Sequence, residues 1–260
     1  MLDNKNYTLG RGKLYFARFL PGTQTPDGFV YFGNTPEFNL TIESEVLDHF
    51  SSDEGIREKD DSIPLQVNRT GSLITDNIAV RNIALFYFGD DSTVTTLAAA
   101  YVEQTITDVK LGFFYKLGQT VQNPVGYMGL DDSDITIEVG AVTLVKGTDY
   151  EVTPGIGMIK FLETSTAIEE GDDADITFTV KASKRERVIS GTAPVEGALM
   201  YESKNPKGKQ FHYYMPYVKI SPNGDYALKG DEWQQIPFTL DIQKPTVGEA
   251  IYVDGEPAFT

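Results

Sequence analysis

Ile236-Pro-Phe-Thr-Leu-Asp-Ile242 sets an apolar side chain at every second position, with Pro237, Thr239 and Asp241 between them. Successive side chains on a strand point to opposite faces, so this period of two predicts a strand with one face buried and one wet. Pro237 has no N–H to give a ladder, which predicts an edge or a bulge at that residue. The same period recurs at Phe38, Leu40 and Ile42, alternating with Asn39, Thr41 and Glu43. Strand patterning returns at 198–201, 210–215 and 217–220. Ile83-Ala-Leu-Phe-Tyr-Phe88 is apolar throughout, which predicts a central strand covered on both faces. One segment reads as helix: behind Asp90-Asp91-Ser92, the residues Val94, Leu97, Ala98 and Tyr101 fall at i, i+3, i+4 and i+7. The expected fold is mainly β, two sheets with one packed helix.

From about Asn123 to Lys181 the chain reads as a compact β unit of its own. Short strands are predicted at 135–139, 142–144, 150–152, 158–161 and 176–180. Turn signals separate them at Lys146-Gly-Thr-Asp149, Thr153-Pro-Gly155 and Glu170-Gly-Asp-Asp173. Such spacing predicts a small immunoglobulin-like sandwich. Because strand patterning resumes after it, this unit is read as an insertion into a larger domain, whose last strands would otherwise lack partners.

The chain has 260 residues, a formal charge of −16, two His and no Cys. Absence of cysteine excludes disulfides, zinc-thiolate sites and a thiol nucleophile. Residues 131–175 hold twelve acids and two lysines, a net of −10, so the rest of the chain carries only −6. Such a balance argues against gripping nucleic acid, which needs a basic face. No run approaches the roughly 18 apolar residues of a membrane span, and the first twenty residues lack the order of a signal peptide, so the chain is expected in a cytoplasm.

Residues 44–70, SEVLDHFSSDEGIREKDDSIPLQVNRT, contain ten charged residues. Connections beyond about 12 to 15 residues without regular structure are uncommon inside compact domains. A solvated linker is one reading, but Val46, Leu47, Phe50, Ile56, Ile63, Leu65 and Val67 are too many apolar residues for it. The favoured reading is a loop that docks onto another chain.

Chemistry is hard to find. Gly-x-Ser-x-Gly and His-Glu-x-x-His are both absent, and His49 and His212 sit in a charged stretch and an aromatic strand. Gly10-Arg-Gly-Lys13 and Lys207-Gly-Lys209 lack the length and hydroxyl of a phosphate loop and read as turns. Asp131-Asp-Ser-Asp134 and Asp172-Asp-Ala-Asp175 depart from EF-hand spacing and read as solvated acidic turns. For the basic cluster Lys181, Lys184, Arg185 and Arg187, with Lys204, Lys207 and Lys209 beyond it, two readings stand: contact with a phosphate backbone, or pairing with acids of a neighbouring subunit.

A family pattern overlies these readings. Leu47-Asp-His-Phe-Ser-Ser-Asp-Glu-Gly-Ile-Arg-Glu-Lys-Asp60, Asp76-Asn-Ile78 and Asn82-Ile-Ala-Leu85 resemble the first half of the tail tube (major tail) proteins of long, non-contractile-tailed bacteriophages. Glu196-Gly-Ala-Leu199, Asn205-Pro-Lys-Gly208, Tyr214-Met-Pro-Tyr-Val-Lys-Ile-Ser-Pro-Asn-Gly224 and Gly230-Asp-Glu-Trp233 resemble their C-terminal strands. The resemblance implies a sandwich or barrel-like tail tube domain with one helix, built from 1–122 and 184–245, an inserted immunoglobulin-like domain at 123–183 and a C-terminal tail at 246–260. It implies a virion protein, assembled in the host cytoplasm, that closes into hexameric rings stacked as a hollow tube. Tape-measure protein and double-stranded DNA would occupy the bore, with tail tip and terminator proteins at the ends. No enzyme activity, cofactor, metal or membrane contact is implied. Contacts between subunits or rings are then expected at Val46, Leu47, Phe50, Ile56, Arg57, Lys59, Asp60, Ile63 and Val67, and the bore at an acidic or neutral strand face whose residues the period alone does not identify. Two other readings compete: a surface adhesion module binding through its insert, and a glycan hydrolase using a pair of carboxylates.

Overall fold

The computed structural model describes residues 6–53 and 55–257. In chain order the strands are β1 (Gly12–Arg18), β2 (Val30–Tyr31), β3 (Glu37–Ser51) and β4 (Glu58–Thr75), followed by the helix α1 (Val80–Phe86) and β5 (Asp90–Thr96). Next come β6 (Ala99–Ile106), β7 (Phe114–Lys116), β8 (Thr136–Val139), β9 (Val142–Thr143), β10 (Tyr150–Thr153), β11 (Met158–Phe161) and β12 (Ala174–Val180). The chain ends with β13 (Ser183–Ile189), β14 (Val195–Ser203), β15 (Phe211–Pro222), β16 (Ile236–Ile242) and β17 (Tyr252–Gly255). The fold is mainly β. Among the described residues no helix is long and apolar enough to cross a membrane.

Two compact units result, one from Met1–Ser92 with Arg187–Thr260 and one from Thr93–Glu186. The boundary expected at 123 therefore falls about thirty residues too late, because β6 pairs with β12 and β7 with β11, inside the second unit. β5 and β13, the outgoing and returning segments, pair as a ribbon.

The first unit is built on one antiparallel sheet in the order β2-β1-β14-β15-β16-β4-β3, with β17 added to β15. Period two is obeyed where it was legible: Ile236, Phe238, Leu240 and Ile242 are all buried. β16 is not an edge, however, since it lies between β15 and β4. Pro237 is accommodated there because the β15 ladder has ended: Pro222 pairs with Phe238, and only the Asn223 N–H reaches the Pro237 carbonyl, at 3.1 Å. The sheet curls. Phe38 on β3 packs against Tyr201 on β14 with ring centroids 5.7 Å apart, although three strands separate them in the sheet order. Inside the curl Phe86 and Phe32 meet Phe238 edge-on at 6.3 and 5.6 Å, contacts worth about 0.5–1.5 kcal/mol each beyond burial.

The α-helix among the described residues is not where the spacing placed it. Residues 94–98 lie in β5 and the turn after it, and Leu97 is 78% exposed. The side chain of Tyr101 lies outside the described residues. Thr93-Val-Thr-Thr96 is β-branched throughout, which favours the strand that β13 completes. Instead the apolar run expected as a central strand forms α1, because a short run apolar on every side fits a buried helix as well as a buried strand. Asn82 anchors α1, its amide donating to the carbonyls of Phe32 at 2.8 Å and Asn77 at 2.9 Å. Phe88 ends it at φ 53°, and the Gly89 N–H closes back on the Ala84 carbonyl at 2.8 Å.

The second unit packs a three-stranded sheet, β10-β11-β7, and a four-stranded sheet, β6-β12-β8-β9, around one core holding Ile137, Ile159, Phe161, Ile176 and Phe178. Its predicted strands are found nearly residue for residue. Buried Asp149 is satisfied by the Val145 N–H at 2.7 Å and the Ser165 hydroxyl at 2.6 Å.

Candidate functional site

The predicted 44–70 loop is instead the far part of a hairpin. β3 and β4 stay paired from Glu37↔Ile74 out to Ser51↔Glu58, with irregularities at Glu45/Val46 and His49/Phe50. β16 accompanies β4 only as far as Thr70. Beyond it the two strands run on alone as an arm. From Ile42 to Ser51, at about 3.3 Å per residue, the arm extends about 30 Å.

Among the described residues nothing covers the arm. Ile42, Val46, Leu47, Phe50, Ile56, Ile63, Leu65 and Val67 are between 41 and 79% exposed. Leu47 faces Ile63 directly across the ladder, and Val46 and Phe50 share the opposite face of β3. Two contacts tie the ribbon laterally, a salt bridge from Lys59 to Asp48 at 2.6 Å and a hydrogen bond between His49 Nδ1 and Asp60 at 2.5 Å. The Arg57 guanidinium lies 5.7 Å from the Phe50 ring centre. The hydrogen bond to His49 holds the Asp60 carboxyl below its usual range. Thus the structure places all nine residues expected at subunit contacts, Val46, Leu47, Phe50, Ile56, Arg57, Lys59, Asp60, Ile63 and Val67, on or at the tip of one arm.

At the root of the arm a cleft of about 840 Å³ opens between Gly10-Arg11-Gly12, leading into β1, and Asn34–Leu40, leading into β3. Tyr201 and Tyr213 complete its lining. Beside it runs the turn between β14 and β15, fixed to the β1 approach by Lys204 N–H to the Arg11 carbonyl at 2.7 Å and Arg11 N–H to the Asn205 side chain at 2.8 Å. Gly208 makes that turn at φ 98°. Lys204, Lys207 and Lys209 are therefore brought to Arg11, a proximity the sequence spacing does not reveal.

Register also assembles the wet face of the sheet. One row crosses it as Glu196, Lys219, Asp241, Thr70 and Thr41, and the next as Ser221, Thr239, Ser72 and Asn39. A third is aromatic: Tyr31, Tyr15, Met200, Tyr214 and Tyr252. Lys219 Nζ reaches Glu196 at 3.1 Å and holds that carboxyl below its usual range, aided by the Tyr217 hydroxyl at 3.0 Å. Lys204 does the same for Glu202, with Tyr15 donating at 3.1 Å. The only tryptophan, Trp233 between β15 and β16, is 93% exposed.

Elsewhere the candidate chemistry resolves into structural contacts. His212 Nδ1 accepts the Ser203 N–H at 3.1 Å. In the acidic turn Lys146 pairs with Asp132 and Lys181 with Asp131, whose carboxyl is held well below its usual range. Lys181 thus finds its acid within its own unit. Among the described residues no three His, Cys, Asp or Glu side chains are placed to hold a metal ion.

The family model described as Protein of unknown function UCP028589 matches residues 7–247. The chain belongs to this family. The span of the UCP028589 match includes the arm, the cleft, the lysine turn and the whole second unit. No curated protein matches the chain.

Proposed function

We propose that this chain is a structural, non-enzymatic virion subunit that polymerises as stacked hexameric rings into the hollow tail tube of a long-tailed bacteriophage, through which DNA passes. The observation that carries this reading is the arm. A two-stranded ribbon carrying apolar side chains on both faces is marginal alone, and stable monomers suppress such edges and patches. Covering the eight exposed apolar residues, roughly half of a full burial each at about 2 kcal/mol, is worth about 9 kcal/mol gross. Association costs about 4–15 kcal/mol, so one arm is close to break-even and assembly requires many arms acting together. Closed rings and stacks supply that multiplicity.

The wet sheet face fits the bore. Its two polar rows are neutral or net acidic, and their one lysine lies between Glu196 and Asp241. Along these two rows duplex phosphates meet no unpaired cation and release no counterions, so DNA slides past them without binding. Replacing 43–67 with an Asn-Gly turn tests the proposal: the variant is expected to fold, with the parent's melting profile and a strand signal lower only by the removed ends of β3 and β4, and to remain unassembled. Normal polymerisation of this variant would refute it.

A further inference from the structure

The arm cannot reach the cleft at its own root, because an extended ribbon carries its tip about 30 Å away. The two surfaces nonetheless match. Residues 43–67 hold eight acids and two bases, and both bases are engaged within the arm, Lys59 by Asp48 and Arg57 by Phe50. The arm therefore carries a net charge of −6. The cleft side presents Arg11 in its wall and Lys207 and Lys209 on the adjoining turn against Glu37, while Lys13, Glu202 and Lys204 lie on the wet face with Tyr15 and Tyr31; among the described residues Lys207 and Lys209 form no ion pair. Its lining is aromatic at Phe38, Tyr201 and Tyr213, suited to the apolar side chains that the arm exposes.

We propose that the acidic arm of one copy seats in the cleft of a second copy, with the lysine turn as its electrostatic partner. This rests on the reading that copies of the chain assemble and names the surface that receives the arm. The contact is head-to-tail: each copy gives an arm and receives another, which propagates into a ring or a stack. Acids on the arm and cations beside the cleft set direction, since arm-to-arm and cleft-to-cleft encounters repel.

The test is a charge exchange, read as the critical concentration for sedimentable assemblies. Lys207→Glu with Lys209→Glu, and separately Asp53→Lys with Glu58→Lys, are each expected to raise it at least tenfold. The four changes in one chain, or the two double variants mixed, are expected to restore it to within about threefold. In parallel, zero-length carbodiimide coupling of wild-type assemblies made from mixed light and heavy chains should join Lys207 or Lys209 to Asp53 or Glu58 across copies. If arm removal blocks assembly while lysine reversal and cross-linking show no such pairing, the cleft is not the seat and the assembly reading survives. A wild-type chain that never assembles overturns both.

Discussion

Leu47 and Ile63 form a direct cross-strand pair, each 58% exposed. Full burial of such a side chain is worth about 2 kcal/mol, so covering the exposed 58% recovers about 1.2 kcal/mol apiece and about 2.3 kcal/mol per arm. Leu47→Ser with Ile63→Ser removes nearly all of this. At about 1.4 kcal/mol per factor of ten, the critical concentration for assembly should rise about 50-fold. The same changes lie outside both cores, so monomer stability should move by less than about 0.5 kcal/mol. The assay is sedimentation across a concentration series, with thermal melting of the same samples. A critical concentration within threefold of the parent would refute the claim that the arm is covered in the assembly. A rise accompanied by a lower melting temperature would instead mean that the pair supports the subunit itself.

Three further outcomes follow from particular contacts. A Cβ on Gly89 would stand 1.9 Å from the Ile189 carbonyl oxygen, so Gly89→Ala should cost about 3 kcal/mol and lower the melting temperature of the first unit; an unchanged melt would deny this close approach. Glu196 and Glu202 sit below their ordinary 4.5, so the stability they contribute is complete above that value and lost as pH falls through the lower folded value. Glu196→Gln with Glu202→Gln should therefore be less stable than the parent at neutral pH and lose less on acidification, and denaturation curves that coincide at every pH would reject the assignment. Thr239→Lys with Ser72→Lys sets adjacent cations on a neutral row of the wet face, and in each ring these should slow DNA ejection measurably; ejection at the parental rate would show that this face does not line the bore.

What could be read from the residues depended on whether burial wrote a pattern. β16 and the strands of the second unit have one face on a core, so alternation marked them almost to the residue. The far part of β3 and β4 has no core face at all. Its backbone pairs as a hairpin while its side chains are free to be charged, which made a strand look like a loop. The apolar residues in it were nonetheless informative, because water offers no reason to keep Val46, Leu47, Phe50 and Ile63 there. The helix and the strand at 83–101 exchanged places because the 83–88 run is apolar on every side and the 94–101 spacing matches a helix by coincidence, as the exposure of Leu97 reveals. The cleft, the lysine turn and the tyrosine row were beyond the sequence, since each depends on register between strands far apart in the chain.

Electron microscopy of the purified full-length chain, concentrated above the point where it sediments, tests the central claim most directly. The account predicts annular particles or filaments with a continuous central hole, absent from the 43–67 replacement. A monodisperse monomer at every concentration, or particles without a bore, would contradict it.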